Sequence, residues 1–134
     1  MHVDGRCHCG AITFEAEVDP AAVMICHCTD CQTLSGTAFR TVVPTEAGTF
    51  QLLSGALKTY IKVAESGSRR AQTFCPECGT PIYSGAADGS TSVVNIRVGT
   101  IRQRDTLPPK AQYWCRSAQG WATNIASTTK CDTQ

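Results

Sequence analysis

Seven of the nine cysteines in this chain fall into three short clusters: Cys7 and Cys9 in CHCG, Cys26, Cys28 and Cys31 in CHCTDC, and Cys75 and Cys78 in CPECG. CPECG has the spacing of a zinc knuckle. Such a turn aims two thiolates into one site, while its glycine takes a positive φ and lets backbone N–H groups donate to sulfur. It supplies two ligands of a tetrahedral structural zinc and needs two more from elsewhere. CHCG also carries two thiols followed by glycine, so Cys7, Cys9, Cys75 and Cys78 make one complete four-thiolate site. Cys26, Cys28 and Cys31 then give a second zinc three ligands and leave its fourth position open, which separates a reactive zinc from a structural one. In the competing assignment Cys115 or Cys131 closes that position, giving two inert zincs and a non-catalytic module that binds a protein partner.

Three thiolates over-neutralise a zinc dication, so the metal is poorly suited to making hydroxide from water. It is well suited to a soft incoming ligand, because zinc deprotonates a thiol and holds it as an anion near neutral pH. A small-molecule thiol placed there becomes a nucleophile able to add to an electrophilic carbon such as a carbonyl, and the reverse reaction releases a thiol from its adduct. His8 and His27 each lie between two ligating cysteines, where the alternation of an extended backbone turns the imidazole away from the metal; ligation is the minority reading. His2 has no evident role. Tyr113, Trp114 and Trp121 read equally as core or as pocket wall.

The elements that must gather these clusters read as strands. ITFEAEV, Ile12 to Val18, alternates, with Ile12, Phe14, Ala16 and Val18 on one face. AFRTVV, TFQLL, LKTYIKV, RAQTFC and SVVNIRV are further β-rich runs, separated by turn signals at Gly48, Ser54–Gly55, Ser66–Gly67 and Asp88–Gly89. These predict a mainly β domain of antiparallel sheets. One short helix is predicted over TDCQTLSG, capped by Thr29 or Asp30 and ended by Gly36 in a left-handed conformation. LPPK, Leu107 to Lys110, breaks regular structure. The 134 residues predict a single domain over residues 1–125 followed by a polar tail over 126–134.

Bulk properties exclude several partners. Charged residues are 17% of the chain and the formal net charge is +1, which leaves no basic footprint for nucleic acid or an anionic membrane. Arg69–Arg70 is the densest basic pair, and Arg97, Arg102 and Arg104 read as a solvated face. No apolar run approaches the ~20 residues that span a bilayer. MHVDGRCHCG lacks the blocks of a signal peptide, so a cytoplasmic protein is expected, where close cysteine pairs favour metal over disulfides.

GRCHCG, CHCTDCQTLSG and FCPECGTPIY, in this order and followed by PPKAQYW and Trp121, resemble the glutathione-dependent formaldehyde-activating enzyme family, also called the centromere-protein-V/GFA domain. All seven cluster cysteines, Ser35–Gly36 and Gly79 fall on the family pattern, which spans nearly the whole chain. The resemblance implies a zinc-stapled, Mss4-like β-tent with two Zn2+ per chain. Cys7, Cys9, Cys75 and Cys78 would hold the structural zinc, and Cys26, Cys28 and Cys31 the catalytic one. It also implies carbon–sulfur lyase chemistry, the joining of glutathione to formaldehyde as S-hydroxymethylglutathione, with the glutathione sulfur at the open position. No motif maps onto glutathione's carboxylates, although Arg40, Arg97 and Lys110 are cations able to neutralise one. Cys115 and Cys131 lie outside the family's cysteine pattern. B-type methionine-sulfoxide reductases share the scaffold and use a cysteine, which makes Cys115 in YWCRSA a weaker redox candidate.

Overall fold

The alternation in TFEAE is realised as a strand whose inward residues are Phe14 and Ala16 and whose outward residues stay partly exposed. The computed structural model describes residues 1–134. In chain order the strands are β1 (His2–Arg6), β2 (Thr13–Glu17), β3 (Met24–Cys26), β4 (Arg40–Pro44), β5 (Gln51–Ser54), β6 (Lys58–Val63), β7 (Arg69–Phe74), β8 (Pro81–Ala86), β9 (Asn95–Arg97) and β10 (Ala111–Tyr113). A single α-helix, α1 (Thr29–Ser35), follows β3. The fold is mainly β, as the alternation predicts.

Two sheets form. One has the order β1-β2-β5 and the other β10-β3-β4-β9-β8-β7-β6. Every pairing is antiparallel except β10 with β3, so the expectation of wholly antiparallel sheets needs one correction. Parallel neighbours require a long connection rather than a hairpin, and here nearly the whole large sheet intervenes between the two strands. SVVNIRV yields only the three residues of β9, because Val98 is buried and Val98–Thr100 tighten into a 3-10 turn. β1, β3, β8 and β10 carry no clear apolar–polar alternation in their sequences, although burial does alternate along β1. Two of them are three residues long, β1 contains Gly5, and β8 starts at a proline and contains Gly85.

Register defines the two faces of the large sheet. Val43, Ile96 and Tyr83 are successive partners on one face, which packs toward the small sheet. Phe14 of the small sheet stacks on Phe50 at 5.7 Å, and Phe50 meets Tyr83 edge-on at 4.9 Å, so an aromatic chain bridges the layers. The opposite face carries Cys26 paired with Arg40, Arg97 paired with Val42, and the run Asn95, Ser84, Gln72 and Tyr60 across β9, β8, β7 and β6.

β1 leads into the first cysteine pair and is held at both edges. Besides β2, it bridges the loop after β9 through Gly5 and Ile101. Asp4 receives two hydrogen bonds from Arg102 and one from Gln103, and its carboxyl is held down to about 2, first by Arg102 and then by Gln103. A Cβ on Gly5 would overlap the Phe14 ring and stand 2.5 Å from the Thr100 carbonyl oxygen. Gly5→Ala is therefore expected to destabilise the domain by about 2–3 kcal/mol through overpacking. Equilibrium urea unfolding at fixed zinc concentration checks this, and an unchanged midpoint would show that the approach is not tight.

Candidate metal centre

The thiols of Cys7, Cys9, Cys75 and Cys78 all lie within 4.8 Å of one another. Cys7 and Cys9 sit on the turn between β1 and β2, and Cys75 and Cys78 on the turn between β7 and β8. Their knuckle closes through Gly79 N–H donating to the Cys75 carbonyl at 2.9 Å, with Gly79 at φ 75°, a left-handed value that favours glycine. Thr80 joins the two turns, since His8 N–H donates to its hydroxyl at 3.1 Å while the same oxygen lies 3.1 Å from Cys78 Sγ. That hydroxyl is the first cause holding the Cys78 thiol down to about 5. Ile12 N–H donates to Cys7 Sγ at 3.2 Å.

This donor set fits zinc. Tetrahedral thiolates at the usual zinc–sulfur distance stand about 3.8 Å apart. Cys7 Sγ is 3.5 Å from Cys9 Sγ, which is 3.9 Å from Cys75 Sγ. Cys7 and Cys75 are buried, where an unshared ionised thiol would be costly.

Cys26, Cys28 and Cys31 form the second group, again within 4.8 Å. Cys26 ends β3 and Cys31 lies in the first turn of α1. The helix is capped by Cys28, not by Thr29 or Asp30 as the sequence suggests, and Cys28 Sγ accepts from Cys31 N–H at 3.3 Å. An ionisable sulfur in the N-cap position takes the role usually filled by oxygen. Gly36 ends the helix at φ 68°, as expected. Three contacts fix α1: Asp30 pairs with Lys62 of β6 at 2.9 Å, and Gln32 Nε2 donates to the carbonyls of His27 at 2.8 Å and Ser117 at 2.9 Å. In the triad, the Cys26 thiol is held down to about 5, first by Cys31 donating to it and further by the charge of Lys62. Cys31 is pushed up, first by that same pairing.

Neither Cys115 nor Cys131 belongs to the triad. Cys115 is exposed, and its Sγ lies 3.7 Å from the Gln112 carbonyl. The histidines are not in either group. His27 is 1% exposed, and its Nε2 bonds the Gln112 side chain at 2.7 Å, behind the cysteines. Tyr113, Trp114 and Trp121 are exposed and none belongs to the core. Trp114 instead walls a cavity of about 530 Å³ together with Cys28, Lys62 and Arg116. It is the one non-glycine residue with positive φ, at 57°, and the Arg116 guanidinium lies 4.8 Å from its ring centroid.

The expected solvated face at Arg97 is overturned. Arg97 is 8% exposed and Arg40 6%, and both donate to one acceptor, Gln72 Oε1, at 2.7 and 3.0 Å. Arg97 lies on the sheet face opposite its buried neighbour Ile96, where strand alternation alone would put it in solvent, but α1 packs against β4 and its Leu34 lines the same cavity as Arg40, Gln72 and Arg97. Arg102 and Arg104 are exposed, as expected, and so is Lys110. Gln72, Gln32 and Lys62 were not marked by any spacing. Alternation in LKTYIKV does place Tyr60 and Lys62 on one face, which is the only signal the sequence carries for them.

The family model for glutathione-dependent formaldehyde-activating enzymes matches residues 2–117. The fold is similar to the crystal structure of a Rhodobacter sphaeroides protein, with a TM-score of 0.61 and 20% identity over 81% of this chain and 98% of that one, a likeness of fold. No curated protein matches the chain. No helix is long and apolar enough to cross a membrane. Both cysteine groups fall inside the matched span, and the chain belongs to the glutathione-dependent formaldehyde-activating enzyme family.

Proposed function

We propose that this chain is a zinc-dependent enzyme of the carbon–sulfur lyase type, joining a small glutathione-like thiol to an aldehyde such as formaldehyde and releasing it in reverse. Cys7, Cys9, Cys75 and Cys78 hold a structural zinc in this reading, and Cys26, Cys28 and Cys31 hold the reactive one. The observation that carries it is a triad of thiols with no fourth protein donor, opening at Cys28 onto a cavity. Zinc bound there supplies the acidity that ionises an incoming thiol near neutral pH.

The chain's own residues supply position. The Cys28 cap and the Asp30–Lys62 pair fix the first turn of α1, so the cysteines are held before substrate arrives. Trp114 and Arg116 wall the cavity onto which Cys28 opens, with the Arg116 guanidinium over the Trp114 ring. Addition forms one carbon–sulfur bond from the sulfur lone pair. The carbonyl π pair moves to oxygen, which takes the proton the thiol gave up, so no oxidant or reductant is needed. A closed, non-catalytic site would need Cys115 or Cys131 beside the triad, and neither lies there.

The test replaces the bound metal with cobalt and adds glutathione. A change in the sulfur-to-cobalt charge-transfer band, with S-hydroxymethylglutathione forming faster by NMR than without protein, is the expected result; an unaltered band at millimolar thiol would sink the reading. The two sites should also separate by mutation. Cys75→Ser is expected to unfold the domain, because metal binding of about 10–16 kcal/mol rivals a domain's whole stability. Cys28→Ser is expected to lose one zinc and keep its circular dichroism, since serine is itself a good N-cap. Equal folding of both variants would contradict the division. Acid should strip the triad first: protons compete with metal for thiolates in both groups, where Cys31 and Cys9 alike are pushed up, and the triad holds its metal with three protein donors against four. A chromophoric chelator is expected to read two zincs per chain at neutral pH and one as pH falls; simultaneous loss of both would refute the order.

A further inference from the structure

The face of the large sheet that carries Cys26 also carries Arg40, Arg97 and Arg70, with Gln72 among them. Arg40 and Arg97 are more than nine-tenths buried, yet neither pairs with a carboxylate. A single amide oxygen of Gln72 serves both guanidiniums, and Arg97 Nε–H is buried with no acceptor at all. Asp30, the acid of α1, is already engaged by Lys62. Burying cations is costly unless they are paired, and an unpaired buried N–H adds to the cost. A dication held by three thiolates leaves one negative charge, which is too little to balance two guanidiniums. A cavity of about 440 Å³ opens here, lined by Leu34, Arg40, Tyr60, Gln72, Phe74 and Arg97.

We infer that Arg40 and Arg97, gathered around Gln72, form a subsite for a carboxylate of the thiol substrate, so that the enzyme takes anionic thiols in preference to neutral ones. The inference rests on the thiol reading of the triad. A guanidinium fork matches a carboxylate in plane and in spacing, and the free Nε–H of Arg97 is a donor a carboxylate oxygen can use. Burial lowers the Arg97 guanidinium to about 9, with repulsion from Arg40 next, and burial lowers Arg40 as well; guanidinium is basic enough to stay cationic at neutral pH. Gln72 is a positioning residue. It holds the two forks side by side without neutralising them.

Isothermal titration calorimetry on the zinc-loaded protein tests this with glutathione, S-methylglutathione and glutathione diethyl ester. Gln72→Glu places a carboxylate of the same size on the two arginines and fills the subsite from within. It is expected to weaken glutathione and S-methylglutathione about tenfold or more, and to leave the diethyl ester unchanged. Arg97→Lys keeps the charge and loses the fork, and should weaken both acids in the same sense. Equal affinities of the acids for wild type and both variants, or no binding of either acid to wild type, would overturn the subsite. S-Methylglutathione has no ionisable sulfur and is expected to leave the cobalt spectrum silent, so a retained carboxylate preference together with a spectrum that glutathione also leaves unaltered would overturn the thiol reading of the triad alone.

Discussion

Thiols separated by as many as seventy-one residues in sequence, Cys7 and Cys78, must meet at one point, and the rest of the fold follows from that requirement. Cys9 and Cys75 approach to 3.9 Å although they belong to different sheets' turns. Closing so long a loop costs conformational entropy that no pair of thiols recovers. Shared metal coordination would recover it, at about 10–16 kcal/mol for a structural zinc. The sheets do the remainder. β1 is pinned to β2 on one edge and to the Gly5–Ile101 bridge on the other, and this delivers Cys7 and Cys9 at the height where the β7–β8 turn presents Cys75 and Cys78.

The triad is built by a different device. Its three cysteines span only the end of β3 and the first turn of α1, so local geometry rather than sheet packing gathers them. Cys28 caps the helix and is also one of three thiols placed where they could hold a metal. The Cys31 N–H that satisfies the helix terminus also stabilises negative charge on the sulfur. A seven-residue helix is too short to persist alone in water, and tertiary contacts from Lys62, Ser117 and Gln119 compensate. The three-ligand site is thus formed by a helix whose own stability depends on β6 and the loop after β10.

The cysteine groups were legible because ligand chemistry is carried by residue type and short spacing, which survive without knowledge of the fold. The same holds for β2, whose alternation is complete, and for Gly36, whose cap needs only a left-handed φ. β3 and β10 were not legible. Each is three residues long, and their pairing is decided by where the chain returns rather than by any pattern within them. The N-cap was misread because Thr29 and Asp30 are the better cappers by propensity, while the metal-ligand geometry favours the cysteine before them. The two buried arginines were misread for a related reason. A charged residue in a strand defaults to solvent, and the default is reversed here where Gln72 and Leu34 of α1 close around the two guanidiniums.

That reversal sets the chemistry of the large sheet. One of its faces is a conventional apolar layer through Val43 and Ile96, and its other face carries Cys26 of the triad beside guanidiniums that have no carboxylate. A sheet of this kind gains its stability from the first face and bears an electrostatic cost on the second. Apolar residues of similar volume at positions 40 and 97 would remove the cost, as replacement of buried charges commonly does. The charges therefore argue for a ligand rather than for folding. A cation pair that shares one neutral oxygen is under-satisfied in the free protein and becomes satisfied when an anion enters, and a site whose cost is relieved by its substrate discriminates against molecules that lack the charge.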